Sequence, residues 1–291
     1  MNLDLQGLAA LVKIAELGSF SAASQALHIS QPAVSKRIKV LEDEVGSPLF
    51  DRIGRNLQLT EAGAALVPIA KRIMAELDEA SLVMNNLALH VTGTLNIACS
   101  HHIGIHRLPH VLKAYRQLHP DVNLELQFMS SEEAIAALKQ RRIELAFITL
   151  PKQLSSELNA TKLWRDELCF AASGEHPLAN RKQVQLNELA YSDCILPETN
   201  TTTFELVAQL FSRHKLPLRP TIPVNYIETI RTLVASGLGW SVLPRNMIQS
   251  PLVELPVSAA TPVRHLGYLA MRGRTMSNAA KRFIEVLHAR A

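Results

Sequence analysis

Cysteine is scarce in this chain. Its 291 residues include three, Cys99, Cys169 and Cys194, odd in number and far apart. A disulfide scaffold is excluded, and so is any CxxC-type metal site. GxSxG, a phosphate-cradling P-loop, GxGxxG and HExxH are also missing, so no familiar catalytic or nucleotide-binding signature points to an enzyme, and no cofactor is expected. No apolar run approaches about 18 residues, so no membrane span is expected. The first twenty residues carry Asp4 and Glu16 and lack both a basic start and a small-residue cleavage site. A secretory signal is therefore not expected, and the cytoplasm is the expected compartment. A large excess of one charge is lacking too. Lys and Arg number 30 against 26 Asp and Glu, a net charge of +4, which argues weakly for a nucleic-acid partner until its location is known. No low-complexity segment and no repeat of 20–50 residues is present.

The length suits two or three domains, and 47% hydrophobic residues are enough to build real cores. The head reads as helical. Leu5, Leu8, Leu11, Val12 and Ala15 recur at helical spacing up to Gly18. Ser19 or Ser21 can cap a second, alanine-rich helix over 22–27. Ser30 reads as the cap of a third helix, with Pro32 in its first turn and Val34, Ile38, Leu41 and Val45 as its buried stripe. Residues 48–59 form a small hairpin about a Gly/Asn turn. A long helix from Thr60 to about Leu89 follows, with apolar positions Leu66, Ile69, Ile73, Leu77, Ala80, Met84 and Leu87 at steps of three and four. That spacing suits pairing with another helix, and Pro68 should bend it.

The second and third helices have the layout of a helix-turn-helix. Gln31, Ser35 and Lys39 are polar residues placed to face base edges, and Lys36 and Arg37 suit phosphates or guanine. Arg52 and Arg55 on the hairpin suit a wing. Arg52 could also pair with Asp51, and Pro32 could touch a thymine methyl or merely shape the helix start. A helical hairpin used only for packing is the plain alternative; the order helix-turn-helix, wing and long pairing helix favours DNA.

The segment GSFSAASQALHISQPAVSKRIKVLEDEVGSPLFDRIGRNLQLTEAG, residues 18–63, resembles the winged helix-turn-helix of LysR-type transcriptional regulators almost position by position. Beyond it the resemblance is one of layout. It implies base and backbone contacts at Gln31, Pro32, Ser35, Arg37 and Arg52, and a dimerisation helix. It also implies a two-lobed effector-binding domain like a periplasmic solute-binding protein. The expected partners are double-stranded operator DNA, a small effector, a second copy giving a homodimer that assembles to a homotetramer, and RNA polymerase. The expected fold class is α/β behind an all-α winged head. The expected domains are residues 1–60, 61–92 and 93–291, with lobe one at 93–164 and 266–291 and lobe two at 165–265.

After residue 93 strands and helices alternate, which predicts a parallel sheet with helices on its faces. Strands are expected at 95–99, 122–128, 144–149, 168–172, 193–196, 222–225, 241–244 and 264–271. Helices are expected at 105–118, 132–141, 202–214, 227–235 and 277–289. In such folds ligands bind where strands end and helices begin, because free backbone N–H groups there favour anions. Three hydroxyl-rich loops fit: Ser100 with His101 and His102, Ser130 with Ser131, and Thr201, Thr202 and Thr203. The same hydroxyls would serve equally as ordinary helix caps. The resemblance places effector contacts in these loops and near Thr149. An organic acid is the expected effector, and His101 or His102 could add positive charge.

Two other readings of the tail are weaker. His102/His106 and His106/His110 have the i, i+4 spacing of metal ligands, but no acid falls at a matching spacing nearby and the only cysteine is Cys99, so no metal is expected. Cys169 and Cys194 lie 25 residues apart in apolar strands, unlike a paired redox switch. A redox-sensing or small-molecule regulator without a carboxylate effector stands as the alternative. Charge sharpens the picture. Residues 1–92 carry 8 basic and 10 acidic side chains, net −2, and residues 93–291 carry 22 and 16, net +6. DNA affinity must then rest on local clusters, with Glu42, Asp43 and Glu44 expected to turn away, and the basic excess mildly favours an anionic effector.

Overall fold

The computed structural model describes residues 3–53, 56–86, 91–259 and 261–290. The chain separates into two compact units, Met1–Ala88 and Leu89–Ala291.

In the first unit α1 (Leu5–Leu17), α2 (Phe20–Ala26) and α3 (Gln31–Val45) are set by their caps. The side chains of Asp4, Ser19 and Ser30 accept from the backbone N–H of Gly7, Ala22 and Ala33. Gly46 ends α3 at φ +75°, a conformation that costs glycine little. Leu8, Leu11, Ile14, Ala23, Val34, Ile38 and Leu41 close a small core. β1 (Phe50–Ile53) and β2 (Asn56–Leu59) pair antiparallel as the wing. Thr60 then opens α4 (Glu61–Asn86), its hydroxyl accepting from Gly63 N–H and donating to the Pro48 carbonyl. Pro68 lies inside α4. Leu66 and Ile73 pack on the head core. Ile69, Leu77 and Met84 stay exposed in the single chain, and Leu87 lies outside the described residues.

The second unit begins with β3 (Gly93–Cys99), α5 (His101–His106), α6 (Pro109–Leu118), β4 (Val122–Phe128), α7 (Ser131–Lys139) and β5 (Leu145–Thr149). It continues with β6 (Leu158–Ser173), α8 (Leu186–Ala190), β7 (Ile195–Leu196), α9 (Thr202–Arg213), β8 (Ile222–Pro223) and α10 (Ile227–Ala235). β9 (Ser241–Pro244), a 3₁₀ turn, β10 (Leu252–Glu254), β11 (Val263–Met271) and α11 (Asn278–His288) complete it. Two expectations need correction. The helix expected over 105–118 is two helices, because Pro109 has no N–H to continue the ladder and instead starts α6 at its first position. The sheet is mixed rather than parallel. β4 and β5 flank β3 in parallel, but β11 runs antiparallel to both β5 and β6.

The antiparallel pair has a topological cause. β6 begins in one lobe, beside β11, and ends in the other, where β9 and β10 pair with its second half. β11 returns beside it, so that Arg165 stands opposite His265. Leu95, Phe147, Tyr115 and Phe283 anchor lobe one on one sheet face, with Ala134, Leu138 and Ile148 on the other. Trp240, Phe170, Phe211 and Leu196 fill lobe two. Trp240 stacks on Phe211 and donates to the Leu189 carbonyl at 3.0 Å, so the one polar atom of its ring is satisfied in the core.

Candidate functional site

The head presents α3 by its unburied side. Gln31, Pro32, Lys36 and Lys39 are exposed, and Ser35 and Arg37 are half-buried. At 3.6 residues per turn, Pro32, Lys36 and Lys39 share the outward line opposite Val34, Ile38 and Leu41, while Gln31 and Ser35 run along one shoulder and Arg37 along the other. Asp43, expected to turn away, falls on the same outward line as Lys36 and is exposed. It lies two turns nearer the C-terminus, about 10 Å further along the axis. Glu42 is engaged elsewhere, its carboxylate accepting the Leu49 N–H at 2.8 Å where the chain enters the wing. Arg52 sits in β1 opposite Leu57, and Arg55 lies outside the described residues.

In the second unit the three hydroxyl loops converge on one cavity of about 510 Å³ between the lobes. Ser100, His101, His102, Ser130, Ser131 and Thr149 line it from lobe one, and Thr201, Thr202 and Thr203 from lobe two. Their hydroxyls are not equivalent. Ser130 and Thr201 are occupied as helix caps, Ser130 in a reciprocal box with Glu133. Ser100 precedes α5 without any side-chain cap bond, so its hydroxyl remains available to a ligand. Thr203 is buried and accepts a 3.0 Å bond from Arg264.

Arg264 is a residue the sequence reading passed over. It opens β11, lines the cavity and stands directly across from Asp166 on β6. Its Nε donates to Asp166 Oδ2 at 2.7 Å and its Nη1 to Thr203, while Nη2 is buried with no protein partner. A buried guanidinium with one donor edge unspent is suited to an oxyanion. Of the two acids in the lining, burial pushes the Glu132 carboxyl above its ordinary value, while Glu133, folded back on Ser130 N–H, is held below its own and keeps its charge.

Other contacts cross the cleft. The His101 ring meets Tyr226 edge-on at 4.5 Å. His102 Nδ1 and His106 Nε2 each lie 3.3 Å from Glu228 Oε1, at the start of α10. Burial lowers the His102 pKa, against the pull of Glu228, and favours its neutral form. A Cβ at Gly104 would run into the Phe128 ring and sit 3.0 Å from Cys99 Sγ, so a glycine there lets α5 lie close against β3 and β4. His110 belongs to α6 and bonds the Arg290 carbonyl, and the break before Pro109 separates it from the helix of His106. All three cysteines are buried, and burial pushes their thiols up, to about 12 at Cys99 and Cys169 and about 11 at Cys194. Such thiols are poor nucleophiles, which removes support from the redox alternative. Among the described residues no helix is long and apolar enough to cross a membrane.

Comparison with known proteins agrees in both units. The profile of the bacterial regulatory helix-turn-helix protein, lysR family, matches residues 5–64, and that of the LysR substrate binding domain matches residues 89–291. The transcriptional regulator YeiE of Escherichia coli is 32% identical over 98% of this chain and 97% of its own. The transcriptional activator CmpR of Synechocystis is 29% identical over 99% and 96%. The crystal structure of full-length CbnR complexed with its target DNA shares the fold, with a TM-score of 0.68 at 20% identity, covering 99% of this chain and all of that one. A winged helix-turn-helix with its polar face outward, joined to a two-lobed domain with a cavity between the lobes, places the chain in the LysR family of DNA-binding transcription regulators.

Proposed function

We propose that the chain reads a partly palindromic operator with α3 and the β1–β2 wing and is switched by a small organic acid held between the lobes. The observation that carries the effector reading is Arg264, buried at the cavity with Nη2 unpartnered. Ser100, whose hydroxyl makes no cap bond, and the backbone N–H groups that open α5, α7 and α9 complete an environment for a carboxylate. Ser131, Thr149 and Thr202 shape the rest of the pocket, and His101 and His102 add donors.

On the DNA side, Gln31 and Ser35 read bases, and Pro32 contacts the groove. Lys36, Arg37, Lys39, Arg52 and Arg55 hold the backbone and the minor groove. Two chains pair through the exposed apolar residues of α4, Ile69, Leu77 and Met84, and two dimers form the tetramer that bends DNA between half-sites. The effector shifts the lobes between two arrangements and so changes the spacing of the heads and the access of RNA polymerase.

A thermal-shift screen of small carboxylic acids tests the effector, with stabilisation expected from at least one and lost in Arg264→Lys. Stabilisation by none would refute an acidic effector. In a competition gel shift, Gln31→Ala is expected to relax operator preference by about 1–3 kcal/mol. Lys36→Ala should instead weaken all sequences and flatten the salt dependence. Unchanged preference in Gln31→Ala would remove it as the base reader.

A further inference from the structure

His102 and His106 are one turn apart on α5, so their rings share a face, with centroids 4.8 Å apart. Glu228 comes from α10 in the other lobe and places Oε1 3.3 Å from His102 Nδ1 and 3.3 Å from His106 Nε2. The three donor atoms lie within 4.8 Å of one another. Among the described residues this is the one place where three such groups converge.

The spacing is that of a tetrahedral cation site. Bonds of about 2.0–2.1 Å from zinc to nitrogen and oxygen put neighbouring ligand atoms about 3.3–3.4 Å apart. Two of the three edges already have that length, and the third is no longer than 4.8 Å. The donor set, two imidazoles and one carboxylate, suits zinc and similar transition-metal ions and leaves a fourth position for water or another oxygen ligand. Access is open as well. His106 and Glu228 are 37% and 30% exposed, while His102 is nearly enclosed at 6%. Arg264, whose charge also acts on His102, is already paired with Asp166, so it opposes a bound metal less than a free guanidinium would.

We propose that His102, His106 and Glu228 bind a divalent transition-metal ion of the zinc class, and that this ion ties the two lobes together beside the effector cavity. His102 also lines that cavity, so the ion acts as a co-effector. It favours the arrangement in which α5 and α10 meet, because only there are all three ligands within reach. The proposal does not depend on the effector being an acid.

The test uses the full chain, stripped with a chelator and titrated with Zn²⁺ by calorimetry at neutral pH. One site per chain is expected. His106→Ala and Glu228→Gln should each weaken binding at least about tenfold, while His110→Ala should leave it unchanged. Both substituted side chains reach solvent, and circular dichroism checks that the variants fold. In the Co²⁺-loaded protein, visible bands of a tetrahedral site are expected, diminished in Glu228→Gln. Two neutral imidazoles donating to one carboxylate oxygen would look the same without a metal. No Zn²⁺ binding would therefore assign the cluster to that hydrogen-bonded pair and overturn the proposal. Binding indifferent to Glu228→Gln would also overturn it, by placing the ion on lobe one alone.

Discussion

Arg264 spends two of its donor groups inside the protein, on Asp166 and Thr203, and leaves Nη2 over. The ion pair is almost wholly buried, with side chains 6% and 4% exposed. Such a pair adds little net stability, but removing one member strands the other charge. Arg264→Met is expected to destabilise the effector domain by about 3–5 kcal/mol, and adding Asp166→Leu should recover most of that, as read by urea denaturation. Full recovery of stability without recovery of effector binding would separate the arginine's structural role from its ligand role. The sequence hid this residue for a simple reason. Asp166 and Arg264 are 98 positions apart, and His102 and Glu228 are 126 apart. The hydroxyl loops at Ser100, Ser130 and Thr201 were legible because each sits beside its own helix start. Charged partners drawn from distant parts of the chain leave no local pattern.

Elements with a steady apolar stripe were readable within a residue or two, α10 and α11 among them. Those whose existence depends on a distant neighbour were not. The first half of β6, from Leu158 to Glu167, alternates poorly and is largely solvent-facing; it is a strand because β11 pairs along its length. β10 is three residues held by the end of β6. In the head, Glu16 lies 3.2 Å from Lys13 and 3.3 Å from Lys71, joining α1 to α4. Burial opposes ionisation of Glu16, but the two lysines outweigh it and hold its carboxyl below the ordinary value of 4.5. The stabilisation is therefore present above the unfolded-state value and fades as pH falls through the lower folded one. Glu16→Gln should lower the melting temperature at pH 7, corresponding to about 1 kcal/mol or less, with a smaller deficit at a pH well below the ordinary carboxyl value. An equal deficit at both values would show that packing, not charge, is responsible.

Across the whole molecule, effector and operator occupy different units, so any influence between them is a coupling free energy and must be reciprocal. If an acid changes operator affinity by some factor, operator DNA must change the acid's affinity by the same factor. Calorimetry of the acid with and without operator duplex measures it, and unequal factors would mean that a third species, such as a change of oligomeric state, is linked to both. The paired crossings of β6 and β11 have a further consequence, for the order in which the chain can fold. Lobe two is an uninterrupted stretch between those crossings and can close on itself as soon as it is synthesised. Lobe one cannot, since Leu95, Tyr115 and Phe147 wait for Phe283 and Leu287 of α11, and Tyr115 for the Ala279 carbonyl. On the ribosome, then, the segment made earlier finishes later. Its apolar sheet face stays only partly covered until α11 emerges, the interval in which a chaperone or an aggregation partner would meet this protein.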